Sequence, residues 1–195
     1  MQIQERIAQS VQVLNNLMND LPLIKTIEDV GRAAVGVFHC GGRLLLCGNG
    51  GSAADAQHIA AELSGRFKLD REPLDAEALH VNTSYLTAVA NDYGFDVVYE
   101  RLVRAKGREG DMLIAISTSG NSENIVRAID AAREKNMIIV GMTGQKGGKM
   151  VDLCDFLINV PSDDTPFIQE MHILVGHILC EFIERQCMNI DSETK

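Results

Sequence analysis

Between residues 44 and 160 the chain sets short, almost unbroken apolar runs against longer stretches of helical period. The runs are LLLC (44–47), MLIAI (112–116), MIIV (137–140) and FLINV (156–160). A strand with one wet face alternates apolar and polar residues. A run without alternation has no face to give to water, so both of its faces must be covered. The intervening stretches, such as AADAQHIAAEL and ENIVRAIDAARE, have the spacing of helices. Strands of this kind alternating with helices predict an α/β chain. Its expected form is a three-layer αβα domain: a parallel sheet of about five strands with helices on both faces. The fifth strand is expected at ALHV (78–81).

A chain of 195 residues fits a single domain with a sizeable core, so 1–195 reads as one unit. Two helices precede the sheet. The first carries Ile3, Ile7, Leu14, Leu17 and Met18 at helical spacing, and Pro22 opens the second, which runs to about Cys40. These helices over 1–40 need partners, and packing onto another subunit would supply them. A long closing helix begins at Thr165 and Pro166, and the tail NIDSETK (189–195) reads as frayed.

Composition narrows the partners. Apolar residues at 46% and charged residues at 23% describe an ordinary soluble globular protein. No apolar run approaches the roughly 20 residues of a membrane span. The opening MQIQERIAQSVQVL has no apolar block or small-residue cleavage site, so no secretory leader is expected. A net charge of −9 argues against a nucleic-acid face. An anionic ligand would therefore need donors supplied locally. The five cysteines are odd in number and form no C-x-x-C pair. They read as buried free thiols in a reducing compartment, which places the protein in the cytoplasm.

Two loops suit an anion. Gly48, Asn49, Gly50, Gly51 and Ser52 follow a strand and open a helix, where glycines let backbone N–H groups approach a ligand. The loop also fits G-x-G-x-x-A, a degenerate dinucleotide fingerprint. The region about 20 residues on is KLDREP, a charged loop with a proline, where that reading wants a strand ending in an acid. A structural tight turn would look the same. The second loop offers Ser117, Thr118, Ser119 and Ser122 at another strand end. Four hydroxyls exceed what a helix cap with help from Glu123 requires. They favour a phosphorylated small molecule over a dinucleotide.

His58 and Glu62 sit four apart on one helix face among alanines. Such a pair could bind a metal, share a proton or simply be structural. On the closing helix, Gln169 and His177 lie eight apart, which is about 12 Å along the axis. If both ligate one ion, either the side chains converge strongly or the ligands come from two chains. His172 reads as a surface or hydrogen-bonded histidine, and His39 and His80 as structural. Asn91 and Asp92 could be a polar helix stop, and Arg66 a solvated residue.

Taken together, CGNGGS, DAQHIAAELSGRF, ANDYGFD, GREGDMLIAISTSGNSENI, TGQKGGKM and IQEMHILVGH resemble the sugar-isomerase (SIS) domain family, and within it the bacterial phosphoheptose isomerases. The resemblance runs from the first helices to CEFIERQC. It implies an isomerase of a seven-carbon sugar phosphate, working through an enediol for bacterial surface heptose such as lipopolysaccharide. It implies one zinc per subunit on His58, Glu62, Gln169 and His177, with Glu62 and His177 as the acid–base pair. Asn49, Gly50, Gly51, Asn91, Asp92, Ser117, Thr118, Ser119, Ser122 and Gln169 match substrate contacts, and Glu62, Ser52 and Arg66 sit in matching motifs. A homotetramer with sites at subunit interfaces is also implied. A non-catalytic sister group binds the bacterial replication initiator and lacks the glutamate and the final histidine. This sequence keeps Glu62 and His177.

Overall fold

A pair of helices leads into the sheet: α1 (Ile3–Asn19) and α2 (Leu21–His39), in a computed structural model that describes residues 2–188. The tail expected to fray lies outside the described residues. Asp20 separates the two helices. Its carboxylate accepts from the Leu23 N–H at 3.0 Å, with Pro22 in the first turn, so α2 starts on a side-chain cap. The rest follows as β1 (Leu44–Gly48), α3 (Gly51–Ser64), β2 (Ala76–Ala78), α4 (Thr83–Tyr93), α5 (Val98–Lys106), β3 (Met112–Ile116), α6 (Glu123–Glu134), β4 (Ile138–Gly144), β5 (Phe156–Val160) and α7 (Thr165–Cys187).

All five strands are parallel, in the order β2-β1-β3-β4-β5. Alternate residues of each apolar run serve opposite layers. Leu44, Leu46, Met112, Ile114 and Val140 pack with α2, α3 and α7. Leu45, Cys47, Leu113, Ala115 and Ile139 pack with α5 and α6. Every residue of β1 and β3 is buried, which accounts for the missing alternation in their sequences. From β1 the chain steps out to β2, then returns past β1 to β3. The order reverses there, and the carboxyl ends of β1 and β3 border the crevice in which such sheets hold ligands.

The edge strand differs from expectation. Ala76–Ala78 pair with β1, and the Leu79 N–H still reaches Leu46 O at 2.9 Å. The chain then turns at Leu79 and His80 and leaves Val81 exposed. The register of β1 sets this strand's position, whereas its own residues would suit a start two positions later.

α2 finds its partners within the chain. Leu23, Ile27, Val30, Ala34 and Val37 are buried where it meets α7 and β5. α1 buries only Leu17 and leaves Ile3, Ile7, Val11, Leu14 and Met18 exposed. It is tied to the start of α7 by Arg6, 2.7 Å from Asp164 and with its guanidinium 3.8 Å over the Phe167 ring. The cysteines are free thiols. Burial pushes Cys47 and Cys180 up to about 12. Cys40 departs from the buried reading and is exposed, because it caps the solvent end of α2.

Candidate active site

The two strand-end loops meet. Gly50 takes φ +57°, which a side chain would oppose, and turns β1 into α3. Asn49 then faces Asn124 in the first turn of α6. Each amide donates to the other, at 2.9 and 2.8 Å. Ser117 Oγ donates to Ser122 Oγ at 3.1 Å, and Ser122 makes no side-chain cap bond. Ser117 and Ser122 are therefore not consumed in capping α6, whereas Ser119 Oγ accepts from the Asn121 N–H at 3.2 Å. Between the loops lies a cleft of about 290 Å³, lined by residues 49–52, Ser117, Thr118, Ser122, Thr165 and Gln169. Tyr99 of α5 donates its hydroxyl to Gly48 O and holds the end of β1 from below.

α3 and α7 form one wall of this site. A Cβ on Gly51 would lie 2.6 Å from Gln169 Nε2, and one on Gly176 would lie 2.6 Å from Ile59 Cδ1. A larger residue at either position would displace the Gln169 amide or the Ile59 side chain. The paired positions climb together along both helices, so these run side by side in the same direction.

Further along this pair, three polar side chains converge. His58 Nε2 lies 2.9 Å from His177 Nε2 and 3.2 Å from Glu62 Oε1. One ligand atom from each of the three falls within 4.8 Å of the others. Two imidazole lone pairs at that distance repel unless a proton or a cation lies between them. Two donors on one tetrahedral zinc, each 2.0–2.1 Å away, stand about 3.3 Å apart, so this donor set fits such an ion with little movement. Asp55 sits one turn before His58 on α3. Its Oδ2 is buried without a hydrogen-bond partner among the described residues. Burial pushes its carboxyl up to about 6, with His58 opposing. An orphaned carboxylate oxygen beside the trio favours positive charge there.

His177 thus meets His58 and Glu62 within one chain, while Gln169 packs on Gly51 in the cleft. The Phe67 ring stacks on His177 at 5.7 Å and 23°.

Residues 8–144 match the SIS domain family. The chain belongs to that family. The phosphoheptose isomerase of Aneurinibacillus thermoaerophilus is 50% identical over 182 residues, 93% of this chain and 92% of that protein. That of Rhodospirillum rubrum is 56% identical over 158 residues, 81% and 84%. Among solved structures, the phosphoheptose isomerase of Francisella tularensis superposes with TM-score 0.90 at 38% identity, covering 94% of this chain and 96% of that one. The enzyme of the same name from Neisseria gonorrhoeae gives 0.87 at 43% identity, covering 94% and 99%.

Other expected residues of this SIS domain lie outside the cleft. Ser119 borders an adjoining cavity of about 260 Å³ with Thr118, Asn121 and Lys146. Asn91 and Asp92 are exposed in the last turn of α4, bonded to each other at 2.9 Å. Arg66 is exposed after α3. His172 is buried, not on the surface, and its Nε2 donates to Thr143 O at 3.2 Å. The sequence reading missed Asn124, Asp55, Phe67 and Thr165. Asp55 alone had a local signal, its place one turn before His58.

Proposed function

We propose that this SIS-domain chain is an aldose–ketose isomerase converting sedoheptulose 7-phosphate to D-glycero-D-manno-heptose 7-phosphate, a precursor of bacterial surface heptose. The meeting of His58, Glu62 and His177 at one end of the α3–α7 wall, with the hydroxyl-lined cleft at the other, carries this reading. Gln169 and His177 are about 12 Å apart along the helix axis. A seven-carbon chain with its phosphate ester is about 10 Å long at ordinary bond lengths. One substrate can therefore be gripped at its charged end and worked on at its carbonyl end.

In this reading the hydroxyls of Ser117, Thr118, Ser119 and Ser122 and the first turn of α6 hold the phosphate. The 49–52 loop and Gln169 hold the middle of the sugar. Anchoring makes reaction at the carbonyl effectively intramolecular. The Glu62 carboxylate takes the proton from C1, the C2 oxygen gains a proton, and the enediol forms. C1–OH then gives up its proton and C2 receives one, which completes the aldose. His58, Glu62 and His177 would hold one zinc ion per subunit, with Gln169 joining as a fourth ligand only once its amide leaves Gly51 and turns toward them. That ion would supply Lewis acidity at the sugar oxygens. A metal-bound imidazole nitrogen cannot also pass a proton. On the metal-loaded site His177 therefore orients, and the free oxygen of Glu62 does the proton work.

The working unit is proposed to be a homotetramer in the cytoplasm. Ile7, Val11, Leu14 and Met18 follow spacings of four, three and four and are all exposed, which makes a seam for another helix. His58 and Glu62 remain 48% and 24% exposed, and a neighbouring subunit would shut water out of an enediol site. Asn91, Asp92 and Arg66 would then serve a site completed by a partner.

Turnover of sedoheptulose 7-phosphate by the purified protein tests the reading. Glu62→Gln is expected to lower kcat about a hundred- to ten-thousandfold with KM little changed. Full turnover by that variant sinks the proposal. The non-catalytic alternative, binding of the replication initiator, gains ground only if the wild-type protein is itself inert.

A further inference from the structure

The loop after α3 hangs on one buried ion pair. Arg71 Nε donates to Glu184 Oε1 at 3.0 Å, and the two side chains are 2% and 1% exposed. Glu184 also accepts from three successive backbone N–H groups: Phe67 at 3.1 Å, Lys68 at 2.8 Å and Leu69 at 3.0 Å. The other arm of Arg71 reaches back to α3, with Nη2 on Glu62 O at 3.1 Å and Nη1 on Leu63 O at 2.9 Å. Those carbonyls belong to the last turn of α3, where no intrahelical donor is available. Glu184 sits on α7 two turns after His177. The pair therefore joins the backbone of one site residue to the helix of the other. In between, it holds Phe67 flat against the His177 ring.

We propose that Arg71 and Glu184 are positioning residues of the site: they set where Glu62 and the Phe67–His177 stack stand relative to each other. This rests on the isomerase reading above. A buried ion pair is weak evidence of stabilisation, since its desolvation cost offsets much of its attraction. The geometry it enforces is the better account of its presence. Arg71 uses its planar fork on one carboxylate and three carbonyls, Glu72 O included at 3.0 Å. A lysine cannot reproduce that pattern.

Phe67→Leu keeps the apolar contact and removes the ring, and Arg71→Lys keeps the charge and removes the fork. Each is expected to lower kcat about ten- to a hundredfold through sub-ångström misplacement. KM for the sugar phosphate should stay within about twofold, because the cleft is untouched. The double variant should lose little more than Arg71→Lys alone, since both act on one contact. Unchanged kcat in both single variants, losses that multiply, or KM rising in step with falling kcat would each overturn the proposal. Proton NMR of the His177 ring separates this failure from failure of the isomerase reading. Its resonance, assigned with His177→Gln, should move in the same direction in both variants as the ring current of Phe67 is lost. A resonance unmoved in Arg71→Lys overturns the positioning role whatever the substrate. Should Arg71→Lys fail to fold, Glu184→Gln, which keeps the shape and removes the charge on the three N–H groups, is read by the same kcat, KM and His177 shift, and an unmoved resonance with unchanged kcat there overturns the proposal.

Discussion

The side-chain amides of Asn49 and Asn124 face each other and exchange two hydrogen bonds, of 2.9 and 2.8 Å. Asn124 is buried, so this pair fixes the first loop against the start of α6. Asn124→Asp keeps the shape, removes one donor and sets a carboxylate against Asn49 Oδ1. An unmet buried acceptor costs about 1–3 kcal/mol, and the new charge opposes an anion. KM for the sugar phosphate and the inhibition constant of inorganic phosphate should both rise about tenfold or more. Unaltered values for both would show that the pair does not shape the anion site.

Metal removal is expected to silence the enzyme. Dialysis against a chelator should lower turnover at least about tenfold, and zinc should restore it. Elemental analysis should find one zinc per subunit in wild type and markedly less in His58→Ala. A chelated, metal-free protein with undiminished turnover would exclude the trio as an ion site.

His172 makes stability depend on acid. Its Nε2 proton is committed to the Thr143 carbonyl, while Nδ1 is buried with no hydrogen-bond partner among the described residues. Burial therefore pulls the imidazole down from 6.5 to about 4, with the Thr143 bond opposing. Between those values the unfolded chain takes up the proton and the folded chain does not. This contribution is whole above about pH 6.5 and declines as pH falls toward 4, by about 3 kcal/mol in all. Denaturant midpoints of wild type and His172→Leu across that window check it. The variant should lose this slope, and identical slopes would count against the assignment.

Charge placed on the outer seam of α1 should break the proposed homotetramer without unfolding the protomer. Ile7 and Leu14 are 59% and 40% exposed, so Ile7→Asp with Leu14→Asp costs the single chain little. Light scattering should report a smaller species, with turnover reduced. A variant that keeps the wild-type mass would place the interface elsewhere.

The layers of this fold were legible from the chain alone, because periodicity is a local property. Unbroken runs such as MLIAI must be covered on both faces, and glycine at positions 48, 50 and 51 marks a loop that admits a ligand. The pairing of His58 with Glu62 was equally local, being one turn of one helix. Periodicity says which face of an element is apolar; it does not say which other face it will meet. The edge strand at 76–78, the contact of His58 with His177 across 119 residues, the amide pair across 75 and the Arg71–Glu184 link across 113 were settled by strand order and by close helix packing. These are properties of the assembled core, so only the tertiary structure could decide them.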